Sequence, residues 1–528
     1  MGPRQQGLLE AEGRRAPGPP SALVSPPETG LLATNHLNLH FMLAAGMLMP
    51  PAGFQGKYFE DSLGACPGWI PLFVGKAPPP SAVEQATAEA AHLKPVLIEV
   101  DLTALEGPVR ALGGAGLGER SFRLGLASDE TAILVPAPLP ANAVRRVVFR
   151  TAADKRACEE SAGELGNVPL TDVKRATNKR LFAGSPDVGW PPAGWPDARE
   201  VASLEVAQAA GGVMAALFHL ANRGPLAVAV CRAAFGGDEP EAAPVDDPLL
   251  GALPEWIRAG AVVDLDEPRA SSRGLFWGAV ERLVRHRRST GGGSAEDLLI
   301  QYLEEAAALL GGAPASRARE LARTLDALGG VGGGAVSELF ERHETTFSRA
   351  IILFSLRRKT IDLLEPNFDD SLLTERDLVA AGILFGVRDG WLGLPMELRQ
   401  PKELGAAVSH RMAEMAHRLD RTGIDLGRAL PRPVPLRELL GDRQTWRRRE
   451  QAAAAHLARR LKWDCIRTRV SLPRGRYELA VEGGSAHIDF RGEPRVDSQV
   501  DRRELLRHLA RARIDPKLEG EVRRKLGV

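Results

Sequence analysis

The spacing of apolar residues changes twice along this 528-residue chain. Short β-type runs dominate from about residue 30 to 155, helical spacing dominates from about 199 to 364, and strand alternation returns at Val470. Apolar residues at i, i+3 and i+4 are typical of amphipathic helices, whereas alternation with a period of two is typical of strands. Because one type of layer cannot satisfy both patterns, the sequence predicts an α+β protein built from several domains.

The composition shifts divide the chain into five predicted segments. These are a disordered tail (1–28), an α+β domain (29–165), two helical lobes (171–290 and 295–460), and a small module of strands and one helix (461–528). The tail is rich in Pro, Gly and Arg, a composition that buries too little apolar surface to fold. Glycine-rich tracts at 236–240 and 290–294 are the expected linkers or loops of the helical part.

Particular elements follow from the same patterns. In the first domain Asn38 is the expected cap of a helix that closes near Gly46. Strands are expected at Leu31–His36, Pro95–Leu102, Ala132–Val135 and Val144–Phe149. Helices are expected at Arg199–Leu220, Asp297–Leu310, Arg317–Leu328, Phe347–Leu364 and Arg502–Ala512.

The charge balance excludes a strongly basic or acidic protein. The chain has 68 Lys and Arg against 67 Asp and Glu, so binding to nucleic acid would need a local patch. Only 11 of the 68 bases are lysine, a bias that with abundant Ala, Gly and Pro indicates a GC-rich bacterial genome. Four cysteines without a CxxC pair, no secretory signal and no apolar run of ~20 residues predict a cytoplasmic protein without a membrane partner.

The segment from residue 31 to 73 carries the most informative motif. A strand ends in Thr34-Asn35-His36, a helix ends in Ala45-Gly46-Met47-Leu48, and a loop with Tyr58-Phe59 follows. Further on, Asp129-Glu130 leads into the strand from Ala132, which a proline turn at 138–140 follows. In this order the chain resembles ADP-ribosyltransferase-type folds, and in particular the DarT family of bacterial toxins that modify DNA.

The resemblance implies an ADP-ribosyltransferase-like N-terminal domain of about 120 residues that uses NAD as substrate. His36 would hold the nicotinamide-side ribose, Tyr58 would stack on the nicotinamide ring, and Glu130 would be the catalytic acid. The chemistry is coherent, because a carboxylate stabilises the oxocarbenium character that develops when the glycosidic bond breaks. The implied function is transfer of ADP-ribose to a macromolecule, with DNA or RNA as the expected acceptor.

A non-enzymatic alternative stays open beside the enzyme hypothesis. The same fold would then serve as a binding platform in a subunit of a bacterial defence or mobile-element system, in contact with other proteins or with nucleic acid. The position of Glu130 distinguishes the two hypotheses. An enzyme requires His36, Tyr58 and Glu130 to converge on one cleft, whereas a separation beyond roughly 10 Å favours the platform.

Two arginine-rich stretches are candidate nucleic-acid contacts. The first contains Arg285, Arg287 and Arg288 at the end of a helix, and the second contains Trp446, Arg447 and Arg448. Arginines neutralise phosphates and tryptophan offers a stacking face for bases. The alternative is a solvated helix end, where arginine complements the helix dipole without any ligand.

Other motifs indicate structure rather than chemistry. His36 and His40 have the i, i+4 spacing of a metal pair, but no third ligand is evident, so no metal site is expected. The glycine string 113–118 does not follow a clear strand and is interpreted as a flexible turn rather than a dinucleotide loop. Ala380–Arg399 is interpreted mainly as a core helix, with a pocket or partner surface as the alternative.

Overall fold

The fold comes from a computed structural model of the whole chain, which divides into two compact units, Met1–Leu440 and Gly441–Val528. Each unit is described by itself. The structure describes residues 23–24, 27–49, 51, 58–75, 77–103, 105–113, 116–121, 126–127, 130–165, 173–184, 190–191, 198–221, 224–235, 246–261, 271–288, 294–328, 335–356, 373–394, 396–399, 402–426, 465–472, 475–482 and 485–491.

Twelve strands of the first unit are described, most of them in its N-terminal third. Their bounds are β1 Leu23–Val24, β2 Thr29–Asn35, β3 Met47–Leu48, β4 Trp69–Phe73, β5 Pro95–Asp101, β6 Pro108–Gly113, β7 Gly116–Ser121, β8 Leu126–Ala127, β9 Ala132–Pro136, β10 Leu139–Pro140, β11 Val144–Phe149 and β12 Lys174–Thr177. Eight of them form one sheet in the order β12-β11-β5-β2-β4-β9-β6-β7. The other four pair as β1 with β8 and β3 with β10.

Strand β2 lies in the middle of this sheet. It pairs along its whole length with β5, from Thr29 opposite Asp101 to Asn35 opposite Pro95, and it touches β4 at Leu31 opposite Phe73. All of these pairs are antiparallel. β5 is buried at six consecutive positions, and its sequence is apolar there except for Glu99, which accepts from Arg146 Nε at 2.5 Å.

Fourteen α-helices of the first unit are described. Their bounds are α1 His36–Ala45, α2 Pro80–Ala88, α3 Ala152–Leu165, α4 Leu204–Leu220, α5 Pro225–Phe235, α6 Leu253–Ala259, α7 Ser272–Arg288, α8 Ala295–Leu309, α9 Gly312–Ala327, α10 Ala335–Arg342, α11 Thr346–Leu356, α12 Glu375–Gly393, α13 Met396–Arg399 and α14 Lys402–Leu419. Short 3₁₀ turns occupy 141–143, 179–182 and 250–252.

Helices α4 and α12 form the centre of the helical part. Nearly every residue of α4 is buried, and α12 is buried from Asp377 to Val387. The two helices cross at Gly212 and Gly386, where the lack of side chains lets the backbones touch. Capping boxes fix the starts of α8 at Ser294 and of α12 at Thr374. The segment Ala380–Arg399 is therefore largely core, as its apolar pattern indicates.

Buried polar contacts join the helices to the sheet region. Arg199 donates to the carbonyl of Ala137 at 3.2 Å and lies 3.6 Å from the carboxylate of Asp420. His417 Nε2 donates to the carbonyl of Pro138 at 2.7 Å, and its Nδ1 accepts from a threonine hydroxyl at 2.9 Å. Burial lowers the pKa of His417 to about 4, so this imidazole is neutral at physiological pH.

A third contact caps the C-terminal end of α1. Arg399 Nη1 donates to the carbonyl of Ala44 at 2.8 Å, while its Nε donates to Leu394 O at 3.1 Å. Burial lowers the pKa of Arg399 to about 10, still far above neutrality, so the guanidinium is charged. Arginine therefore satisfies helix-end carbonyls inside the protein, in addition to any contacts at its surface.

Most predicted elements are confirmed, with shifted ends. The strands at 95, 132 and 144 start where the sequence places them. The glycine string does follow a strand, contrary to the expectation from the sequence: Gly113 ends β6, Gly116 starts β7, and residues 114–115 lie outside the described residues. The helix expected from Arg199 starts at Leu204, and the one expected from Phe347 is described as far as Leu356. Within the expected tail, Leu23–Val24 pairs with Leu126–Ala127.

The predicted cap of α1 is wrong by three residues. The helix starts at His36, and Asn35 is the cap because its side chain accepts from the backbone N–H of Asn38 at 2.9 Å. Asn38 itself turns away from the helix backbone. Both residues are asparagines that favour caps, and only the tertiary contacts of Asn38 decide between them.

The second unit contains an antiparallel three-stranded sheet. Its strands are β13 Cys465–Leu472, β14 Gly475–Glu482 and β15 Ser485–Arg491, joined in chain order. This confirms the strand alternation expected from Val470. The helix expected at Arg502–Ala512 lies outside the described residues.

None of the helices in the described part of the chain combines the length and apolar character required to cross a bilayer.

Gly46 provides a test of how α14 packs on the α1–β3 connection. Gly46 has φ +71° and a Cβ there would clash with Ser409 Oγ, whereas Gly75 has φ +68° and no described atom within 4 Å of the same point. Gly75→Ala should cost about 1 kcal/mol for backbone strain alone. Gly46→Ala should cost about 2–4 kcal/mol, because overpacking is added.

Urea unfolding of both variants measures the difference. Ser409→Ala in the Gly46→Ala background removes the clashing oxygen and should restore at least about 1 kcal/mol. Equal losses for the two glycine variants, with no rescue, would contradict the described packing.

Candidate functional site

The junction of β2 and α1 is the centre of the candidate site. The side chain of Asn38 points from the first turn of α1 to the loop before β4, where its Nδ2 donates to Phe59 O at 2.8 Å. The backbone N–H of Phe59 returns a hydrogen bond to Asn38 Oδ1 at 3.2 Å. The loop that carries Tyr58 is thereby fixed to the same end of the sheet as His36.

A buried carboxylate, that of Asp61, holds this arrangement together. Its Oδ2 accepts from Thr34 Oγ1 at 2.5 Å, from Tyr58 OH at 2.7 Å and from Asn38 Nδ2 at 3.0 Å. Its Oδ1 accepts from the backbone N–H groups of residues 63 and 64 at 2.9 and 3.1 Å. Asp61 is completely buried and receives five donors.

Burial sets the electrostatics of this network. It raises the pKa of Asp61, an effect that the donors from Thr34, Tyr58 and Asn38 partly offset. It also raises the pKa of Tyr58 well above its usual value, and the neighbouring carboxylate adds to the rise. The Tyr58 phenol therefore stays protonated. Its hydroxyl donates a hydrogen bond to Asp61 within the same loop.

His36 lies beside this network in a buried position near His40 and Lys94. Its Nδ1 accepts from the backbone N–H of Lys94 at 3.2 Å, and its ring lies 6.0 Å from that of His40 in an edge-to-face arrangement. Burial, together with repulsion from His40, His92 and Lys94, lowers the pKa of His36 to about 4. His36 is therefore neutral at pH 7, with Nε2 as its donor.

His40 makes its contacts with α3. Its Nε2 lies 2.8 Å from Ser161 Oγ, whose hydroxyl donates to the carbonyl of Cys158. Burial lowers the pKa of His40 to about 4 and raises the pKa of the Cys158 thiol to about 12. This histidine packs α1 against α3, and the buried thiol is not a nucleophile at neutral pH. Within the described residues no group of three or more His, Cys, Asp or Glu could hold a metal.

Glu130 lies at the other end of the sheet. Leu31, Phe73 and Ala132 form one row across β2, β4 and β9, and β2 and β9 run in the same direction because both are antiparallel to β4. Glu130 precedes Ala132 by two positions, whereas His36 follows Leu31 by five. The two are thus displaced along the strands by roughly 23 Å, at ~3.3 Å per residue.

At both Glu130 and His36 the hydrogen bonding of the sheet continues up to or next to the residue, so the backbone does not leave the strand direction there. The N–H of Thr131 donates to Leu112 O at 2.8 Å, and its carbonyl accepts from Val74 N at 3.0 Å, so the ladder continues to the residue next to Glu130. His36 N likewise donates to Lys94 O at 3.0 Å and continues the β2 ladder. The structure therefore brings Tyr58 to the His36 end of the sheet and does not bring Glu130 there.

Another carboxylate lies near His36 but has a structural role. Asp154, in the first turn of α3, accepts from Thr151 N at 3.1 Å and from Thr151 Oγ1 at 2.9 Å. Arg150 lies 3.6 Å from the same oxygen. Asp154 therefore stabilises the start of α3, as acidic residues at helix N-termini generally do.

The sheet face that contains Ala33 and Ala132 is covered by apolar groups from the same chain. Its neighbours include α2 and Phe73. The 3₁₀ turn at 179–182 and Trp190 also pack on it, and the Trp190 ring lies 4.9 Å from that of Phe73. Much of this face is thus core.

The first arginine-rich stretch is largely occupied by internal contacts. Arg287 donates to Glu205 at 3.2 Å and to the carbonyl of Arg388 at 2.8 Å. Arg285 is exposed and lies 3.4 Å from Glu281, one turn earlier on α7. Arg288 is the last residue of α7, and its side chain lies outside the described residues, as do Trp446, Arg447 and Arg448 entirely.

Sequence reasoning missed Asp61, the residue that organises the site. Its donors come from β2, from α1 and from its own loop, so no local spacing indicates them. The available signal was the run of polar residues Thr34, Asn35 and Asn38 beside an otherwise apolar strand and helix, since buried polar groups require partners.

Comparison with known proteins gives weak similarities. No family model and no curated protein matches the chain. The structure of Thermus sp. 2.9 DarT in complex with carba-NAD+ is similar over 30% of this chain and 98% of that chain, with 13% identity and a TM-score of 0.22. That of Thermus sp. 2.9 DarT in complex with NAD+ covers 30% and 100%, with 9% identity and a TM-score of 0.23.

Replacement of the Asp61 carboxylate tests the network. Asp61→Asn places an amide among five donors and should lower the free energy of unfolding by about 3–5 kcal/mol, the cost of breaking a buried charged network. Asp101→Asn is the matched control, because Asp101 accepts two hydrogen bonds from Thr103 in an exposed turn.

Urea unfolding measures both variants, and the control should lose about 1 kcal/mol or less. If Asp61→Asn is as stable as the control, the carboxylate does not hold the loop.

Proposed function

We propose that this protein is a non-enzymatic interaction subunit that uses an ADP-ribosyltransferase-like domain as a binding platform. The observation that carries the proposal is the displacement of Glu130 from His36 by roughly 23 Å along the sheet. Cleavage of a glycosidic bond needs a carboxylate within hydrogen-bonding reach of the sugar that the histidine would hold. A single ribose held by His36 would lie too far from Glu130 for this chemistry.

The carboxylates that do lie near His36 favour the same conclusion. Both oxygens of Asp61 accept hydrogen bonds from the loop and from β2, and Asp154 accepts from the first turn of α3. A catalytic carboxylate must be free to contact the substrate and to exchange a proton. Recruiting either residue for catalysis would break the contacts that hold its own segment.

The surroundings of the site also fit a scaffold. The end of α1 and the turn after β9 are occupied by Arg399 and His417, which come from the helical part of the same chain. A domain whose buried polar groups bind other parts of the same chain holds its own segments in place and presents its outer surface to partners. The expected partners are other proteins of a multi-subunit system.

The enzymatic hypothesis is the second candidate. In it the domain binds NAD and transfers ADP-ribose to DNA or RNA, as the sequence resemblance to the DarT family implies. His36 and Tyr58 lie at one end of the sheet, as a shared ligand site requires. The hypothesis still needs a carboxylate from elsewhere or a rearrangement that moves Glu130. For the acceptor, exposed Arg285 is a better candidate than Arg287, which is paired with Glu205.

Incubation with labelled NAD separates the two candidates. The purified full chain is mixed with labelled NAD and with DNA, RNA or a cell extract, and both label transfer and nicotinamide release are measured. We expect neither, and we expect millimolar NAD to leave the melting temperature unchanged, because a ligand that binds only the native state would raise it.

Matched variants make the result specific. Glu130→Ala should behave as the unaltered chain does, and so should Glu84→Ala, which removes an exposed carboxylate from α2. Label transfer that Glu130→Ala abolishes and Glu84→Ala retains would overturn the platform proposal and establish the enzyme.

A further inference from the structure

A cavity of about 320 Å³ lies among helices α4, α5, α6 and α14, in the helical part of the first unit. Its volume falls within the range of pockets that bind small organic molecules. Apolar side chains form about half of the wall, and three of them are methionines. These apolar residues are Ala210, Met214, Phe235, Ile257, Val408, Met412 and Met415.

The polar part of the wall is strongly basic. Among the described residues that line the cavity, Arg258, Arg411 and Arg418 face a single carboxylate, Glu414. Arg258 comes from α6, and the other two arginines lie two turns apart on α14. The wall therefore carries an excess of positive charge beside an apolar interior.

Glu414 is already committed to its own helix. Its Oε2 accepts from Arg411 Nη1 at 2.7 Å, and its Oε1 lies 3.0 Å from His410 Nε2. These donors lower the pKa of Glu414 to about 2 despite its burial, so the carboxylate is ionised and saturated. It accepts from Arg411 and also attracts Arg418, so one carboxylate faces three arginines in this wall.

Arg418 is held in place by the end of α6. Its Nη2 donates to Ile257 O at 2.7 Å and its Nε donates to Arg258 O at 3.1 Å. Arg418 is an exposed residue. Its partial desolvation lowers its pKa, Glu414 raises it, and the charges of Arg411 and Arg258 lower it again. The arginines therefore repel one another across this wall, and a bound anion would relieve that repulsion.

We propose that this cavity binds a small amphipathic organic anion, with its apolar body among the methionines and its acidic group at Arg258 and Arg418. Carboxylates, sulfonates and phosphate esters share the required chemistry, because each offers oxygens to guanidinium donors. Methionine side chains adapt to apolar bodies of different shape. The cavity is independent of the β2–α1 site and of the platform proposal.

Two fluorescent probes with the same rings test the charge requirement. Anilinonaphthalene sulfonate carries an anionic group, and phenylnaphthylamine lacks it. The full chain should bind the sulfonate at least tenfold more tightly than the neutral probe. Octanoate should displace the sulfonate, whereas inorganic phosphate should not, because phosphate has no apolar body.

Variants locate the bound probe. Arg258→Gln should weaken the sulfonate about fivefold and leave the neutral probe unchanged, since it removes one charge pair. Ala234→Trp places a large ring in the cavity wall and should abolish binding of both probes. Arg285→Gln, which removes an exposed arginine of α7 outside the cavity, should leave both affinities unchanged.

Melting temperatures establish that each variant is folded. If Ala234→Trp does not fold, the probe affinities of Arg258→Gln alone test the proposal. The proposal is overturned if the two probes bind equally, if phosphate displaces the sulfonate as well as octanoate does, or if Arg258→Gln and Arg285→Gln behave alike.

Discussion

The antiparallel pairing of β2 with β5 on one side and β4 on the other is the constraint on which the site depends. A shift of register by one residue would move every side chain of β2 to the opposite face, and Thr34 would lose its hydrogen bond to Asp61. With the register fixed, the end of β2 determines where α1 starts and where His36 lies. The row from Leu31 to Ala132 then determines that Glu130 lies at the far end.

Asp61 converts this register into a defined loop. A buried carboxyl group without partners is costly, so five donors must converge on Asp61 before the loop can close. Those donors include Thr34 near the end of β2 and Asn38 in the first turn of α1, both of which are positioned by the sheet. Arg399 likewise satisfies a buried polar group through a distant contact. It donates to a carbonyl at the end of α1 from a helix more than 350 residues later in the chain.

Much of the secondary structure could be predicted because it is written in local patterns. The apolar run after Pro95 and the helical spacing after Ala295 need no tertiary information, and both elements are present. The cap of α1 could not be assigned, because Asn35 and Asn38 have the same local preference and only the contact of Asn38 with Phe59 separates them.

The candidate site was harder to predict than the fold. His36 and Tyr58 do lie at one end of the sheet. The position of Glu130 relative to them depends on the register of two strands, β2 and β9, that are about 100 residues apart in the sequence. Arg287 illustrates the same difficulty. Its neighbours along the chain are basic and suggest a nucleic-acid contact, but its partner Glu205 belongs to another helix. The periodicity of apolar residues indicates which face of a helix or strand is buried. It does not indicate which residues contact that face.

A spin-label distance between the two ends of the sheet tests the central claim most directly. His92 is exposed beside His36 and can carry one label, Glu130 can carry the other, and a Cys465→Ser background leaves three native cysteines that are buried. The strand register predicts a separation of roughly 20 Å or more between the labels. A separation under roughly 10 Å, within reach of one substrate, would contradict the account and return Glu130 to the site of His36.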